Sequence, residues 1–252
     1  MGRSAPHLAE ELSVTVDDQI LVRGYSLAGH LMGRLTFTEM FLLDLDGELP
    51  TAAKTRVVDV VLVALMEHGV TPSTLAARLV LEGAPDAMQG AVAAGLLAAG
   101  SRFLGTVKPA AEFFQTIASD GRPVDVAARY HVDRLLGSGG KVPGIGHTLH
   151  SAVDPRVMVL RDVATETGFA GRHIEALDAA TAAAQEALGK SLVSNAAGMI
   201  GAILSDLGYG PQVCHGFPLV ARAGGLVAHL SDELQRPTAR ELWVGQHQGK
   251  AR

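Results

Sequence analysis

Apolar residues recur at three- and four-residue spacing from Leu21 to the C-terminal region, and no stretch keeps the apolar–polar alternation of a half-buried strand. The chain is therefore predicted to be all-α. Aromatic residues make up only 4% of it against 48% hydrophobic residues, so Ala, Leu, Val and Gly must do the packing, which suits helices that approach closely. Helices are predicted over Phe37–Leu45, Ala53–His68, Asp86–Gly100, Pro109–Ile117, Val124–Leu136, Arg156–Thr167, Arg172–Leu188, Leu192–Leu207 and Phe217–Leu234, separated by Gly, Pro or Asp turns. Gly69 stops the second of these and Thr71-Pro72 follows it. Gly137-Ser-Gly-Gly140 is the strongest hinge candidate, four small residues in a row.

A chain of 252 residues can bury a large core, as one domain or as a large domain with a smaller cap. Its net charge of −5 and scattered arginines offer no basic stripe, which argues against a nucleic-acid partner. A single cysteine, Cys214, excludes an intrachain disulfide and a Cys-based zinc pattern, and suits a reducing cytoplasm. Met1–Glu11 lacks the apolar block of a signal peptide. The best apolar runs, Val57–Met66 and Ala91–Ala99, fall short of the ~20 residues that a bilayer requires, so no membrane association is expected.

The segment Lys141–Arg156 breaks the helical pattern. Gly144 and Gly146 on either side of Ile145 permit positive φ and close approach of the backbone to a partner, which presents His147 on a sharp turn. Asp154 can then cap a helix, with Pro155 in its first turn and Val157, Leu160, Val163 and Ala164 at helical spacing. A histidine and Arg156 thus sit near one helix N-terminus, a position that favours anions. The plainer alternative is a glycine-rich loop holding a structural histidine. His68, in Met66-Glu-His-Gly-Val-Thr-Pro-Ser73, has two readings as well: it caps the last carbonyls of its helix, or it faces a ligand. Arg156, Arg222 and Arg236 are guanidinium groups able to grip carboxylates through paired hydrogen bonds, or else ordinary surface arginines.

The order Gly-x-Gly-His…Asp-Pro-Arg resembles the signature of the citrate synthase superfamily. The resemblance extends from about Gly24 to Trp243. It implies a helical fold with a large domain, residues 1–136 and 191–252, and a small mobile domain, residues 137–190, that carries the loop. It implies that His147 sits over the substrate hydroxyl or carbonyl and that His68 donates a hydrogen bond to the substrate's central oxygen. Arg156 and Arg222 would bind substrate carboxylates, and Arg236 would do so across a homodimer. Val142, Pro143, Gly144, Ile145 and Gly146 would line the adenine of coenzyme A through backbone groups.

Gly100-Ser-Arg-Phe-Leu-Gly-Thr-Val107 narrows the resemblance. Citrate synthases carry a histidine in the corresponding loop, where this chain has Phe103, and the segment is more similar to that of citryl-CoA lyases and of the lyase module of ATP-citrate lyase. Phe103 is either a wall of that loop or a core phenylalanine. The implied reaction is cleavage of citryl-CoA, or a related 3-hydroxy-3-carboxyacyl-CoA, to acetyl-CoA and oxaloacetate. Coenzyme A enters as part of the substrate and no permanent cofactor is implied. No metal is implied either, since the histidines lack ligand spacing with neighbouring carboxylates.

Two positions depart from the family pattern. In Ser194-Asn-Ala-Ala-Gly-Met-Ile-Gly201, Ala197 stands where the family has an aspartate that moves a proton on or off the acetyl methyl carbon, and alanine transfers none. Asp206 lies about two and a half helical turns further on, too far for direct replacement. Thr148 follows His147 where many members have an arginine that contacts the nucleotide phosphates. Three readings stay open: a lyase with altered chemistry, a binding homologue of coenzyme A or polycarboxylates that has lost turnover, and an engineered replacement of the aspartate.

Overall fold

A computed structural model describes residues 12–146, 154–241 and 244. The chain divides into two compact units, Met1–Asp59 and Val60–Arg252.

The first unit opens with a three-stranded antiparallel sheet, β1 (Ser13–Val16), β2 (Gln19–Val22) and β3 (Tyr25–Ser26), ordered β1-β2-β3. The helical reading of the sequence did not include it. Its register is set by two tight turns, Asp17-Asp18 (φ 45° and 60°) between Val16 and Gln19, and Arg23-Gly24 (φ 47° and 83°) between Val22 and Tyr25. Positive φ at both central residues gives the twist that two-residue hairpins need. Helix α1 (Phe37–Asp46) is closed by a capping box between Thr36 and Glu39, and it lays Leu43 against Val22 and Leu31.

Helix α2 (Ala52–Met66) leads into the second unit, which holds α3 (Pro72–Gly83), α4 (Met88–Ala99), α5 (Val107–Ala118), α6 (Val124–Gly137), α7 (Pro155–Glu166), α8 (Arg172–Leu188), α9 (Ala196–Asp206) and α10 (Pro211–Gln235). Helix α3 is not among the helices that apolar spacing predicts. Thr71 and Thr74 form a reciprocal capping pair and Pro72 occupies the first turn, so Thr71-Pro72 starts a helix rather than only ending the preceding one. The glycines after α6 form its C-terminal cap: the amides of Gly139 and Gly140 donate to the carbonyls of Leu136 and Leu135 at 2.9 and 3.0 Å.

By length and composition Met88–Ala118 is apolar enough to cross a membrane, a span that the individual runs did not reveal. In the structure a π-helical turn, Gly100–Leu104, interrupts it with Gly100 at φ 48° and separates α4 from α5. Helices α3, α4 and α10 bury Ala77, Leu81, Ala91, Leu226 and Leu230 together. Helix α9 is buried along nearly its whole length and packs on α5 and α8, with Phe114, Ile117, Met199, Ile200, Ile203 and Leu204 fully enclosed. Asp206, at its C-terminal end, caps α8: its carboxylate accepts from the amides of Gly171, His173 and Ile174 at 2.9 to 3.2 Å and contacts His173 Nδ1 at 2.8 Å. That partnership accounts for its charge.

Candidate active site

A cavity of about 570 Å³ opens in the second unit, with walls from the end of α2, the start of α3, the π-helical turn, the loop after α6, and helices α5, α7, α9 and α10. His68, Phe103, Val142, Pro143, Gly144, Ile145, Gly146, Arg156 and Arg222 all line it, and so does Ala197. His147 and Thr148 lie outside the described residues. Arg236 does not line the cavity; its guanidinium pairs with Asp232 one turn back on the surface.

The glycine loop is held in place by the N-terminus of α9. The Gly146 amide donates to the Val193 carbonyl at 2.7 Å, the Asn195 amide to the Gly144 carbonyl at 2.9 Å, and Asn195 Nδ2 to the Gly146 carbonyl at 2.9 Å. Asn195 Oδ1 also caps α9 by accepting from the Gly198 amide at 3.0 Å. Gly144 (φ 76°) and Gly146 (φ 87°) are in the left-handed region, as the sequence pattern requires. A side chain at Gly144 would place its Cβ 2.5 Å from Gly198 Cα, so both glycines are needed for loop and helix to touch. Asn195 and Gly198 were legible only as parts of a family motif, although an Asn three residues before a Gly at the head of an apolar helix is a capping signal in its own right.

Phe103 is 53% exposed and lines the cavity, which rules out the core reading. His68 lies in the loop beyond the end of α2, exposed, and its ring makes no hydrogen bond among the described residues. It therefore does not cap the helix. Its neighbour Glu67 folds back so that one carboxylate oxygen accepts from the amides of His68 and Gly69, both at 2.8 Å.

The two cavity arginines differ. Arg156 is clamped by the buried Asp154 carboxylate, Nε to Oδ1 at 3.1 Å and Nη2 to Oδ2 at 2.8 Å, while Asp154 also caps α7 through the Arg156 amide. Arg222 is 7% exposed, and its Nε and Nη1 have no hydrogen-bond partner among the described residues. Burial pushes its guanidinium pKa down, and the Glu67 carboxylate opposes that in part. A buried donor with nothing to donate to is costly, by about 1–3 kcal/mol per unsatisfied group, and a carboxylate entering the cavity would satisfy it. Lys141 and Arg102 add exposed cations to the walls. The cavity thus sets cationic donors beside a glycine loop and an exposed imidazole, an arrangement that can accept an anionic, oxygen-rich ligand. Among the described residues no group of three His, Cys, Asp or Glu side chains is placed to hold a metal ion.

The family model for the citrate synthase C-terminal domain matches residues 16–241. Among solved structures, citryl-CoA lyase from Hydrogenobacter thermophilus superposes with a TM-score of 0.83 at 34% identity, covering 90% of this chain and 86% of that one. ATP citrate lyase from Methanothrix soehngenii, solved with citrate and coenzyme A, shares the fold with a TM-score of 0.79 at 21% identity over 92% of this chain and 40% of that one. A probable ATP-citrate synthase of Dictyostelium discoideum is 27% identical over 76% of this chain and 32% of its own length. The chain spans between 32% and 55% of the length of three curated citrate and ATP-citrate synthases that it matches, so it corresponds to a part of those proteins.

Proposed function

The chain belongs to the citrate synthase family, and we propose that it is a carbon–carbon lyase that cleaves citryl-CoA, or a related 3-hydroxy-3-carboxyacyl-CoA, to acetyl-CoA and oxaloacetate. The observation that carries this reading is Arg222, buried with two donor nitrogens unsatisfied among the described residues, in the same cavity as Arg156, His68 and the glycine loop. A polycarboxylate meets that need with paired acceptors and opposite charge together, whereas a neutral ligand supplies acceptors alone. The 34% identity to a citryl-CoA lyase over nearly the whole of both chains supports cleavage, as does Phe103 on the cavity wall where the synthases have a histidine.

In this mechanism Arg156 and Arg222 bind carboxylates of the citryl group, and Lys141 and Arg102 offer charge to the phosphates of coenzyme A. The loop Val142–Gly146 receives the adenine. His68 donates to the oxygen on C3, and His147 takes the proton from that hydroxyl. As C3 becomes the keto carbon of oxaloacetate, its bond to the acetyl methylene breaks and the electron pair passes to the thioester as an enolate. Water gives a proton to the enolate carbon and regains one from the His147 imidazolium, which restores the neutral imidazole, because Ala197 on the cavity wall offers no proton. Coenzyme A is then a substrate component, and no resident cofactor is needed for any step.

Incubating the protein with a panel of 3-hydroxyacyl-CoA thioesters and identifying products by mass spectrometry tests both activity and substrate. Release of oxaloacetate and acetyl-CoA from citryl-CoA supports the reading; thioesters that bind and remain intact overturn it. Ala197 favours the second reading, a coenzyme A- or polycarboxylate-binding homologue without turnover, and calorimetric binding with no product is its signature. We further propose a homodimer, consistent with Val63, Val70 and Leu97 being 69%, 74% and 82% exposed, and a cytoplasmic location, consistent with a single buried cysteine.

A further inference from the structure

Behind His68 runs a line of side chains that the mechanism does not use. His229 Nε2 lies 3.0 Å from Glu67 Oε1, the same oxygen that holds the amides of His68 and Gly69. On the other side of its ring, His229 Nδ1 lies 3.1 Å from Arg78 Nη2. Arg78 is itself fixed by Glu233 at 2.6 Å and Asp232 at 3.0 Å. A guanidinium only donates, so Nδ1 must accept from it, and the ring proton is on Nε2, directed at Glu67. His229 is therefore held in one tautomer and passes the orientation of a buried arginine to a carboxylate at the cavity wall.

Helix geometry couples this line to the substrate side. His229 follows Arg222 by seven residues, two turns on the same face of α10 and about 10 Å along its axis. Between them Gly225 lets α10 rest on the last turn of α2: a Cβ there would overlap the Met66 carbonyl oxygen. One face of one helix thus supplies the Arg222 guanidinium to the cavity and steadies the loop that carries the imidazole.

We propose that His229 and Glu67 are positioning residues for His68, with the neutral Nε2–H tautomer of His229, imposed by Arg78, locking the Glu67 carboxylate onto the His68-Gly69 backbone. The proposal concerns how His68 is aimed, and its kinetic consequence rests on the lyase reading above. A tautomer-fixed donor–acceptor is what a glutamine side chain also provides: an oxygen for Arg78 and an N–H for Glu67.

Two variants and the wild-type protein test it. In ¹⁵N-histidine NMR of the full chain, His229 is expected to carry its proton on Nε2. His229→Leu should shift the His68 ring resonances, and His229→Gln should restore them. With citryl-CoA, His229→Leu should lower kcat by roughly ten- to a hundredfold, as expected for an ångström-scale misplacement of a catalytic group. KM should change little, and His229→Gln should recover most of the loss. A proton on Nδ1 in the wild type, His68 resonances unmoved in His229→Leu, or His229→Gln failing as fully as His229→Leu would overturn the proposal. The spectra require no turnover, so a protein that leaves citryl-CoA intact would sink the lyase reading while the tautomer and the His68 resonances still decide this one. If His229→Leu does not fold, the wild-type tautomer and the His229→Gln spectrum decide it.

Discussion

Gly198→Ala isolates the contact on which the cavity floor depends. At the third position of α9, an added Cβ would overlap the Gly144 carbonyl oxygen and lie 2.9 Å from its Cα and 3.0 Å from its carbonyl carbon. These are backbone atoms, so relief requires the loop to move. Ordinary carbon contacts begin near 3.5 Å, so the shift needed is roughly half an ångström to an ångström. Such a shift strains three hydrogen bonds at once: Asn195 amide to Gly144, Asn195 Nδ2 to Gly146, and Gly146 to Val193. Overpacking of this kind costs about 1–3 kcal/mol, and the better helix propensity of alanine returns at most about 1 kcal/mol. The net expectation is a loss of about 1–2 kcal/mol, seen as a lower denaturation midpoint with an unchanged slope. Coenzyme A affinity should fall by about tenfold in calorimetry, since the displaced loop lines the cavity. Gly216→Ala is the control: it lies inside α10 with nothing within 4 Å of the added Cβ, and should stabilise by up to about 1 kcal/mol. If Gly198→Ala is as stable as Gly216→Ala and binds coenzyme A like the wild type, the argument that these two glycines set the loop is refuted.

Three further outcomes follow from the same geometry. Arg222→Met removes a buried guanidinium whose Nε and Nη1 have no hydrogen-bond partner among the described residues and whose burial Glu67 offsets only in part, so the ligand-free protein should gain about 1–2 kcal/mol in denaturation, while citrate or oxaloacetate affinity falls by roughly ten- to a hundredfold; a destabilised variant that binds normally would contradict this. Glu233 is 4% exposed, and although burial opposes its ionisation, the Ala239 and Thr238 amides, the Thr238 hydroxyl and Arg78 hold its pKa below the usual carboxylate value. Its stabilisation is therefore complete above the ordinary glutamate pKa and is lost as the pH falls through the depressed folded value; Glu233→Gln, which leaves Arg78 paired with Asp232, should cost about 1–3 kcal/mol at neutral pH and flatten that acid limb of a stability-versus-pH curve. Ala197→Asp should raise kcat for citryl-CoA cleavage by about a hundredfold if enolate protonation limits turnover, and a rate equal to the wild type would place the slow step elsewhere.

The helices were legible from apolar spacing because α5, α8 and α9 bury continuous stripes, and their boundaries moved by only a few residues. Helix α3 was not, because Thr71-Pro72 reads equally as the end of one helix and the start of the next, and the capping pair with Thr74 decides it. The sheet escaped because its strands are four residues or fewer and its turns are Asp-Asp and Arg-Gly rather than Asn-Gly. Most of the cavity lining was legible as a family pattern, and physics now attaches to it: Gly198 for loop contact, Asn195 for stitching, Asp154 for holding Arg156. The Arg78–His229–Glu67 line was not legible, since His229 and Glu67 are 162 residues apart and meet only when α10 crosses the end of α2.

Cleavage is tested by a time course of purified citryl-CoA with the wild-type chain, oxaloacetate and acetyl-CoA quantified together by mass spectrometry. Both products are expected in equal amounts at a rate proportional to protein, abolished by His147→Ala with coenzyme A affinity nearly unchanged. Citryl-CoA that stays bound and intact, or products that form equally fast with His147→Ala, would contradict it.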